Sequence, residues 1–498
     1  MGINKDDIRT LTEIVKNLYL SDDIPWVIGY SGGKDSTATL QLVWHALSEM
    51  KPEELKKSVH VISTDTLVES PVVAKWVEIS LARMKTAAEI AELPIVSHRL
   101  IPDYKDTFWV NILGRGYPYP RPNFRWCTDR LKIQPANTFV QNVVAVHGEV
   151  IMVLGTRKAE SANRAKTMAY YEKQRVREFL SPNSTMQNEL IFSPLEDWTD
   201  DDVWTFLMQY KNPWGHSNKE LLTMYRGATA DGECPLVMNT DTPSCGKSRF
   251  GCWVCTMVEQ DKSMAAMIMN DSEKAWMTPL LELRNHIGNA ELDRERRDFR
   301  RMTGHIKAYK GRLVHGPYKK EVREEWLRSL LKIQADINRN GPAEFRELEL
   351  ITLGELKAIR RIWLDEKHEF DDSLPRIYEE ITDKIYTDDT FTEGSAFGVE
   401  EWKLLRDVCS DLYPDEELVF QMMTRLVDVE KKSSDMKKRK GVLGNIETEI
   451  SKCYYKNEED ALNFALIKNR RKKDMGGNFD EKAEILEDDI DLAYGGDA

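Results

Sequence analysis

The sequence lacks a long hydrophobic run. No apolar stretch approaches the roughly 18 residues that a membrane-spanning helix needs, and the N-terminus has no signal-peptide pattern. We therefore expect a cytoplasmic protein with no membrane contact. Its seven cysteines are then expected to be reduced thiols or ligands, because disulfides are rare in the cytosol.

An overall excess of positive charge is also missing. The 498 residues include 70 Lys and Arg against 83 Asp and Glu, which gives a formal net charge of −13. Phosphate contacts supply most of the affinity of nucleic-acid-binding proteins. Contact with DNA or RNA would therefore come from a local basic patch or from partner subunits. The length predicts two or three domains with a full core.

A phosphate-binding pattern stands near the N-terminus. The β-prone run 26–30 leads into Ser31-Gly-Gly-Lys-Asp-Ser-Thr37 and then into helix-like apolar spacing over 38–47. A Walker A loop has Ser or Thr directly after Gly-Lys, whereas Asp35 follows here. The glycines allow close approach of phosphate oxygens, and the helix offers free amides and a positive dipole end. The candidate nucleotide-binding residues are Ser31, Gly32, Gly33, Lys34, Asp35, Ser36 and Thr37, with Lys34 and Asp35 also as catalytic candidates.

Strands and helices alternate along the first part of the chain. Strands are predicted at 26–30, 59–66, 95–100 and 150–154, with helices at 5–20 and 72–92. This alternation predicts an α/β fold with a doubly wound parallel sheet. A ligand crevice then lies at the carboxyl ends of the strands, where Ser31, Asp65 and Gly155 fall.

These segments resemble the PP-loop ATP pyrophosphatase superfamily and its sulfonucleotide (PAPS) reductase branch. The loop resembles the family's Ser-Gly-Gly-x-Asp-Ser, residues 155–164 resemble its Gly-x-Arg-x-x-Glu-Ser-x-x-Arg loop, and 194–204 resemble its Pro-Leu-x-Asp-Trp-Thr segment. The last is interpreted as structural, with Thr199 and Asp202 forming a capping box. The resemblance implies that ATP and Mg²⁺ are cofactors. It also implies that Asp65, Gly155, Arg157 and Arg164 lie at the nucleotide.

Four of the seven cysteines form a C-x10-C-x6-C-x2-C set, Cys234, Cys245, Cys252 and Cys255. Four thiolates suit a zinc ion or an iron–sulfur cluster, and spacing alone does not decide between them. Residues 251–256 resemble the second half of the cluster motif in iron–sulfur sulfonucleotide reductases, which favours a [4Fe–4S] cluster bound by all four.

Cys127 is a further candidate catalytic residue. It lies in Arg125-Trp-Cys-Thr-Asp-Arg130, which resembles the Arg-x-Cys-Cys-x-x-Arg segment of the same reductases but has one cysteine. The neighbouring arginines predict a thiolate. Whether Cys127 carries sulfur, ligates the cluster or packs in the core stays open.

Beyond about Leu281 the sequence is charged and helix-rich, without a further motif. Residues 294–320 contain ten Lys and Arg against two acids, with interspersed aromatic residues. This predicts a nucleic-acid-binding patch, with a solvated helix face as the alternative. Residues 478–498 contain eight acids against one lysine and predict a disordered tail.

The predicted domains are a PP-loop ATP pyrophosphatase domain (1–215), a cysteine-rich iron–sulfur segment (216–285), a helical C-terminal domain (286–477) and the acidic tail. The combination resembles the DndC family, the ATP pyrophosphatases of DNA phosphorothioation. It implies adenylation of a DNA phosphate oxygen and its replacement by sulfur. The implied partners are DNA, a cysteine desulfurase as sulfur donor, and other subunits of a phosphorothioation complex.

Three alternatives are kept. The first is a sulfonucleotide reductase, although the C-terminal Glu-Cys-Gly of those enzymes is missing and no cysteine follows Cys453. The second is a PP-loop tRNA thiolase, which would use the same loop and cluster on a base. The third is a non-catalytic DNA-binding subunit with a vestigial loop, against which the intact Lys34 and Asp35 argue.

Overall fold

The computed structural model describes residues 3–122, 124–183, 186–229, 250–388, 398–414, 416–434 and 441–474. Cys234, Cys245 and the acidic tail lie outside these ranges, so the predictions made for them stay predictions. The chain divides into two compact units, Met1–Asp103 with Cys127–Glu282, and Tyr104–Trp126 with Leu283–Ala498. The described parts of the cysteine-rich segment thus fall in the first unit up to Glu282, and the short stretch Tyr104–Trp126 falls in the second.

The helices and strands follow one another in chain order. They are α1 (Lys5–Leu20), β1 (Trp26–Gly29), α2 (Lys34–Ser48), β2 (Val59–Thr64), α3 (Pro71–Ile90), β3 (Ile95–Leu100), α4 (Trp126–Thr128), α5 (Gln134–His147), β4 (Val150–Val153), α6 (Ala162–Glu172), β5 (Ser181–Pro182), β6 (Glu189–Phe192), α7 (Asp200–Gln209), α8 (Asn218–Gly227), α9 (Lys262–Asn270), α10 (Thr278–Ile287), α11 (Ala290–Asp293), β7 (Ala308–Tyr309), β8 (Arg312–Leu313), α12 (Lys320–Asn340), α13 (Leu353–Arg361), α14 (Ser373–Thr382), α15 (Val399–Leu412), α16 (Glu417–Ser434), α17 (Val442–Lys452) and α18 (Glu458–Asp474).

The first unit is built on a six-stranded sheet with the order β3-β2-β1-β4-β6-β5. The strands pair in parallel except for β5, which runs antiparallel to β6. The predicted doubly wound parallel sheet is confirmed. The four predicted strands are all present, while the short β5 and β6 were not anticipated.

Side chains of β1 alternate between two covered faces of this sheet. Trp26 and Ile28 belong to the large core beneath α1 and α2, and Val27 belongs to a smaller cluster with Val140 and Val143 of α5. Period-2 alternation with both faces buried is typical of a parallel sheet between helix layers. This explains why β1 and β4 read as continuous apolar runs.

The second unit is helical in its C-terminal part, as predicted. Its inserted segment Tyr104–Trp126 contributes buried aromatic and apolar residues. The indole of Trp109 donates to the carbonyl of Leu350 at 2.9 Å, and that of Trp363 donates to the carbonyl of Leu113 at 2.7 Å. No helix of the described ranges combines the length and apolar character that a bilayer crossing requires.

Candidate functional site

The candidate site lies where the strand order reverses. The chain leaves β1 toward β2 on one side, while β4 pairs with β1 on the other. The loops that follow β1 and β4 therefore border one crevice at the carboxyl ends of the strands, the usual ligand position in such sheets. The two loops pack closely, since a Cβ on Gly155 would lie 2.8 Å from the carbonyl oxygen of Asp35. Only glycine fits there without a shift of the start of α2.

The loop after β1 has the geometry of an anion cradle. Gly32 has φ +73°, a conformation that favours glycine, and a Cβ there would lie 2.5 Å from Val77 Cγ2. Gly33 is the N-cap of α2 and offers no side chain to cap it. Of the amides of the first helical turn, which have no intrahelical acceptors, that of Lys34 donates to the Tyr225 hydroxyl at 3.2 Å. Those of Asp35 and Ser36 are left for a ligand. The loop is closed by Ser31 and Ser36, whose hydroxyl oxygens lie 3.2 Å apart.

Two cations and two carboxylates meet beside this loop. The Lys34 ammonium lies 3.1 Å from Asp35 and 3.0 Å from Asp200. The Arg157 guanidinium donates to Asp35 at 2.7 Å and to Asp200 at 2.5 Å. A third bond joins it to the carbonyl of Trp198 at 3.0 Å. We call Lys34, Asp35, Arg157 and Asp200 the four-charge cluster; its formal charges cancel.

The four-charge cluster favours the ionised forms of Arg157 and Asp200. Burial alone would lower the pKa of Arg157, but the two carboxylates raise it. Burial alone would raise the pKa of Asp200, but Lys34 and Arg157 lower it. The side chain of Arg157 is only 1 % exposed, and each of its three nitrogens donates to a protein acceptor. Its role in this arrangement is to position the two carboxylates.

Asp200 and Tyr225 are site residues that the sequence motifs did not predict. Asp200 begins α7, in the segment that was assigned a structural role. The predicted capping box of that segment is confirmed, since the carboxylate of Asp202 accepts from the amide of Thr199 at 2.8 Å and the Thr199 hydroxyl accepts in return. The Tyr225 hydroxyl accepts from the amide of Lys34 at 3.2 Å. Burial raises the pKa of this phenol, so the hydroxyl stays protonated.

Asp65 and Arg164 lie near the crevice but have other partners. Asp65 follows β2 and is paired with Arg99 at 2.6 Å. Arg164 lies on α6, is 44 % exposed and donates to Glu160 at 2.7 Å. Glu160 in turn accepts from the backbone amide of Arg157 at 3.0 Å. Arg164 is thus linked to the four-charge cluster through Glu160. Thr37 is buried within α2.

The described cysteines of the first unit lie together beyond the end of β2. Residue 252 pairs with Glu69 as an isolated bridge, and the Cys252 Sγ lies 3.3 Å from the Thr66 hydroxyl. The thiols of Cys127 and Cys252 each lie near that of Cys255. Tertiary structure therefore brings Cys127 to the predicted cluster ligands.

The prediction that neighbouring arginines make Cys127 a thiolate was wrong. The side chain of Arg125 donates to the carbonyl of Pro122, and Lys132 is a cation close to Cys127. Burial raises the pKa of the Cys127 thiol, and Lys132 offsets this only in part. Burial alone would lower the pKa of Lys132, but Glu69 and Cys252 raise it by more. The Lys132 ammonium lies 3.1 Å from Glu69.

The predicted four-cysteine ligand set is only half described. Among the residues that the structure describes, no three Cys, His, Asp or Glu side chains are arranged to hold a metal ion. Cys252 and Cys255 nevertheless form a turn, in which the Cys255 amide donates to the Cys252 carbonyl at 3.0 Å. Such turns present neighbouring thiols in C-x-x-C sites. The ligand set stays a prediction, with Cys127 as an added candidate.

Most arginines of the predicted basic patch have internal partners. Arg300 is 4 % exposed and pairs with Asp298 at 2.6 Å. Arg297 donates to the carbonyl of His315, and Arg296 donates to the carbonyl of His286 at 2.7 Å. These side chains stabilise the second unit. Reversing their charges would therefore test folding as well as DNA binding.

Four cations of this patch are exposed. Arg294 is paired with Glu458 at 2.7 Å, and the other three lie in residues 310–319, which include the turn of the β7–β8 hairpin. Lys310 and Gly311 form a two-residue turn with φ values of +48° and +77°, as in the tight hairpin turns that need left-handed residues. Lys310, Arg312 and Lys319 are exposed. These three side chains fit the predicted role in nucleic-acid binding, whereas Arg296, Arg297 and Arg300 do not.

Comparison with known proteins agrees with the fold. Residues 25–257 match the phosphoadenosine phosphosulfate reductase domain family. An uncharacterized protein of Methanocaldococcus jannaschii is 26% identical over 213 residues, which cover 43% of this chain and 37% of that protein. The matched region thus spans well under half of this relative.

Two solved structures are also similar. FMN adenylyltransferase of Candida glabrata, in complex with FAD and inorganic pyrophosphate, has 13% identity and a TM-score of 0.26, covering 48% of this chain and 67% of its own. The U34-tRNA thiolase NcsA of Methanococcus maripaludis, with its [4Fe-4S] cluster, has 11% identity and a TM-score of 0.28, covering 58% and 81%. The family match, the parallel sheet and the glycine loop lead to one conclusion: residues 25–257 are a PAPS reductase-like domain of the PP-loop type.

Proposed function

We propose that this protein uses ATP to adenylate a phosphate oxygen of DNA, so that sulfur replaces a non-bridging oxygen of the backbone. The observation that carries the proposal is the uncapped start of α2 in the switch-point crevice of a PAPS reductase-like domain. The resemblance of the sequence motifs to DNA phosphorothioation enzymes selects DNA as the substrate. A cysteine desulfurase and further subunits would complete the system.

The loop and the four-charge cluster would divide the work on ATP. The Asp35 and Ser36 amides of α2 and the Lys34 ammonium receive the β- and γ-phosphates at the positive dipole end of the helix. The Lys34 ammonium, paired with Asp35 and Asp200, would exchange part of these contacts for the phosphates. The cluster has no net charge, so the incoming polyphosphate needs an additional cation. Asp35 and Asp200 are 26% and 27% exposed and offer the carboxylate oxygens that Mg²⁺ prefers. Bound there, Mg²⁺ would neutralise charge on the leaving pyrophosphate.

The reaction balances in two displacements. A non-bridging DNA oxygen attacks the α-phosphorus of ATP, the α–β bond breaks, and pyrophosphate leaves. A persulfide sulfur from the desulfurase then attacks the DNA phosphorus, and AMP leaves with the original oxygen. A thiol cleaves the remaining S–S bond and supplies two electrons.

The cysteines beyond β2 would hold the predicted [4Fe–4S] cluster. Their thiols suit iron, and Cys127 and Cys252 each lie near Cys255 in the first unit. When bound, the cluster would supply electron or sulfur transfer chemistry. The polypeptide's own contribution is to fix residues 251–253 to 68–70, through the backbone bonds Trp253 to Val68 at 3.0 Å and Ser70 to Gly251 at 3.3 Å.

The test follows the two phosphate products. Purified protein is incubated with α-labelled ATP, Mg²⁺, DNA, a persulfide-charged cysteine desulfurase and a thiol reductant. We expect labelled AMP and, in a coupled assay, pyrophosphate, both lost in Lys34→Ala; without the persulfide the label should stay on the DNA. ADP and orthophosphate would refute the proposal. DNA from cells that carry the complete system should contain phosphorothioate dinucleotides by mass spectrometry, and these should be absent with the Lys34→Ala chain.

Sulfonucleotide reduction is the second candidate function, favoured by the family match of residues 25–257. It would release sulfite from a sulfonucleotide in the presence of a thiol reductant and would need no DNA. An assay for sulfite with the same protein separates the two functions.

A further inference from the structure

Helix α6 has no buried residue, although the structure describes all of it. It starts at Ser161, which caps it, directly after the loop that contains Gly155 and Arg157. A helix of a globular protein normally buries an apolar stripe. α6 instead leaves most of its surface to solvent, so its outward side chains are accessible to a ligand.

The outward face of α6 carries a cation–aromatic–cation stripe. Lys166, Tyr170 and Lys173 follow one another at i, i+4 and i+7, so they lie on the same side of the helix. All three are exposed, Tyr170 to 60%. The two lysines form no ion pair with any residue that the structure describes, whereas nearby Arg164 and Arg175 are paired with Glu160 and Glu196. The stripe is thus locally uncompensated in a chain with a net charge of −13.

Hydrogen bonds connect α6 to the nucleotide-binding loop. Arg157 donates its side chain to Asp35 at 2.7 Å and its backbone amide to Glu160 at 3.0 Å. Glu160 accepts from Arg164 on the first turn of α6 at 2.7 Å. A molecule bound along α6 therefore lies beside the loop, within the same unit.

We propose that Lys166, Tyr170 and Lys173 bind the DNA strand whose phosphate is modified. The inference rests on the proposed function and adds the surface that presents the substrate. The lysines are seven residues apart, about 10 Å along the helix, and their long, flexible side chains let both ammonium groups contact phosphates of one strand. The ring of Tyr170 stacks on a base between them, the combination found in nucleic-acid sites that read no sequence.

The test uses the full chain and four sets of variants, one of which is Lys310→Glu with Arg312→Glu in the β7–β8 hairpin. Lys166→Glu with Lys173→Glu removes the phosphate contacts, and Tyr170→Ala removes the stacking. The matched control is Lys51→Glu with Lys56→Glu, two exposed lysines of the same unit with the same change of charge. Binding of a labelled 20-nucleotide DNA, single-stranded and duplex, is measured by fluorescence anisotropy at several salt concentrations. Thermal unfolding of every variant is compared with the wild type.

We expect the lysine pair to weaken binding and to flatten the plot of log affinity against log salt by about 1.8 on duplex DNA, roughly 0.9 per lost phosphate contact. Tyr170→Ala should weaken single-strand binding roughly ten-fold with an unchanged salt slope. The control should bind like the wild type.

Each other outcome has one meaning. If the wild type binds DNA and the α6 variants keep its affinity and slope, the inference is overturned and the proposed function stands. Loss of binding only in Lys310→Glu with Arg312→Glu overturns it in favour of the hairpin. If the wild type neither binds DNA nor releases pyrophosphate with it, the proposed function itself fails. Tighter, α6-dependent binding of tRNA overturns DNA as the partner.

Discussion

A buried histidine behind the phosphate loop gives a quantitative prediction. His216 is 3% exposed and stacks on Trp76, with ring centroids 3.5 Å apart. Its Nδ1 lies 2.7 Å from the Ser80 hydroxyl. Burial, with a smaller contribution from Arg83, lowers the pKa of His216 from 6.5 to about 4. Trp76 also borders Gly32, so His216 supports the wall against which the loop packs.

The sign and size of the effect follow from linkage. Between pH 6.5 and 4 the unfolded chain binds a proton at this histidine while the folded chain does not. The free energy of unfolding therefore falls as the pH falls, by up to about 1.4 kcal/mol per pH unit. Over the full window the loss approaches about 3 kcal/mol. The part of the stability that depends on the neutral His216 ring is fully present above pH 6.5 and lost below pH 4.

The assay compares wild type and His216→Gln by urea unfolding at several pH values from 7.5 to 4.5. Gln cannot titrate, so the stability advantage of the wild type should shrink as the pH falls. His147→Gln, an exposed position at the end of α5, is the control and should leave the pH profile unchanged. In a histidine NMR titration, the resonance that the His216→Gln variant lacks should have its midpoint at about pH 4. A midpoint near 6.5, or a constant stability difference, would refute the reasoning.

Three further predictions concern the site. Gly155→Ala places a Cβ 2.8 Å from the Asp35 carbonyl and should cost about 1–3 kcal/mol of stability and weaken ATP binding in calorimetry; unchanged values would show that the loops do not pack as described. Asp200→Asn leaves Lys34 and Arg157 with one carboxylate between them and should cost about 2 kcal/mol in denaturant unfolding. A stability equal to that of the wild type would contradict a structural role for the four-charge cluster. Cys252→Ser should lower the iron and sulfide content of anaerobically purified protein, whereas Cys409→Ser, buried in α15 of the second unit, should not; one zinc and no iron in the wild type would overturn the cluster.

Local signals in the sequence were sufficient for the frame of the first unit. The apolar periodicity of α1 predicted Lys5–Leu20, and the apolar runs predicted β1 to β4. The capping box at Thr199 was also readable, because its partners are three residues apart. Such features depend on neighbours along the chain, and short-range backbone geometry is what a single sequence encodes most directly. The strand β5 has only two residues, too few for an alternation of apolar and polar residues to predict it.

Which side chains meet across the fold was decided only by the tertiary structure. Asp200 joins Lys34 and Arg157, Cys127 approaches Cys255, and Tyr104–Trp126 packs with the helical unit. The count of charges in 294–320 predicted a basic patch available to nucleic acid, but Arg297 and Arg300 pair with carboxylates of the same unit. A sequence determines how many charges a segment has. Whether each charge is free for a ligand depends on partners that only the folded chain brings within hydrogen-bonding distance.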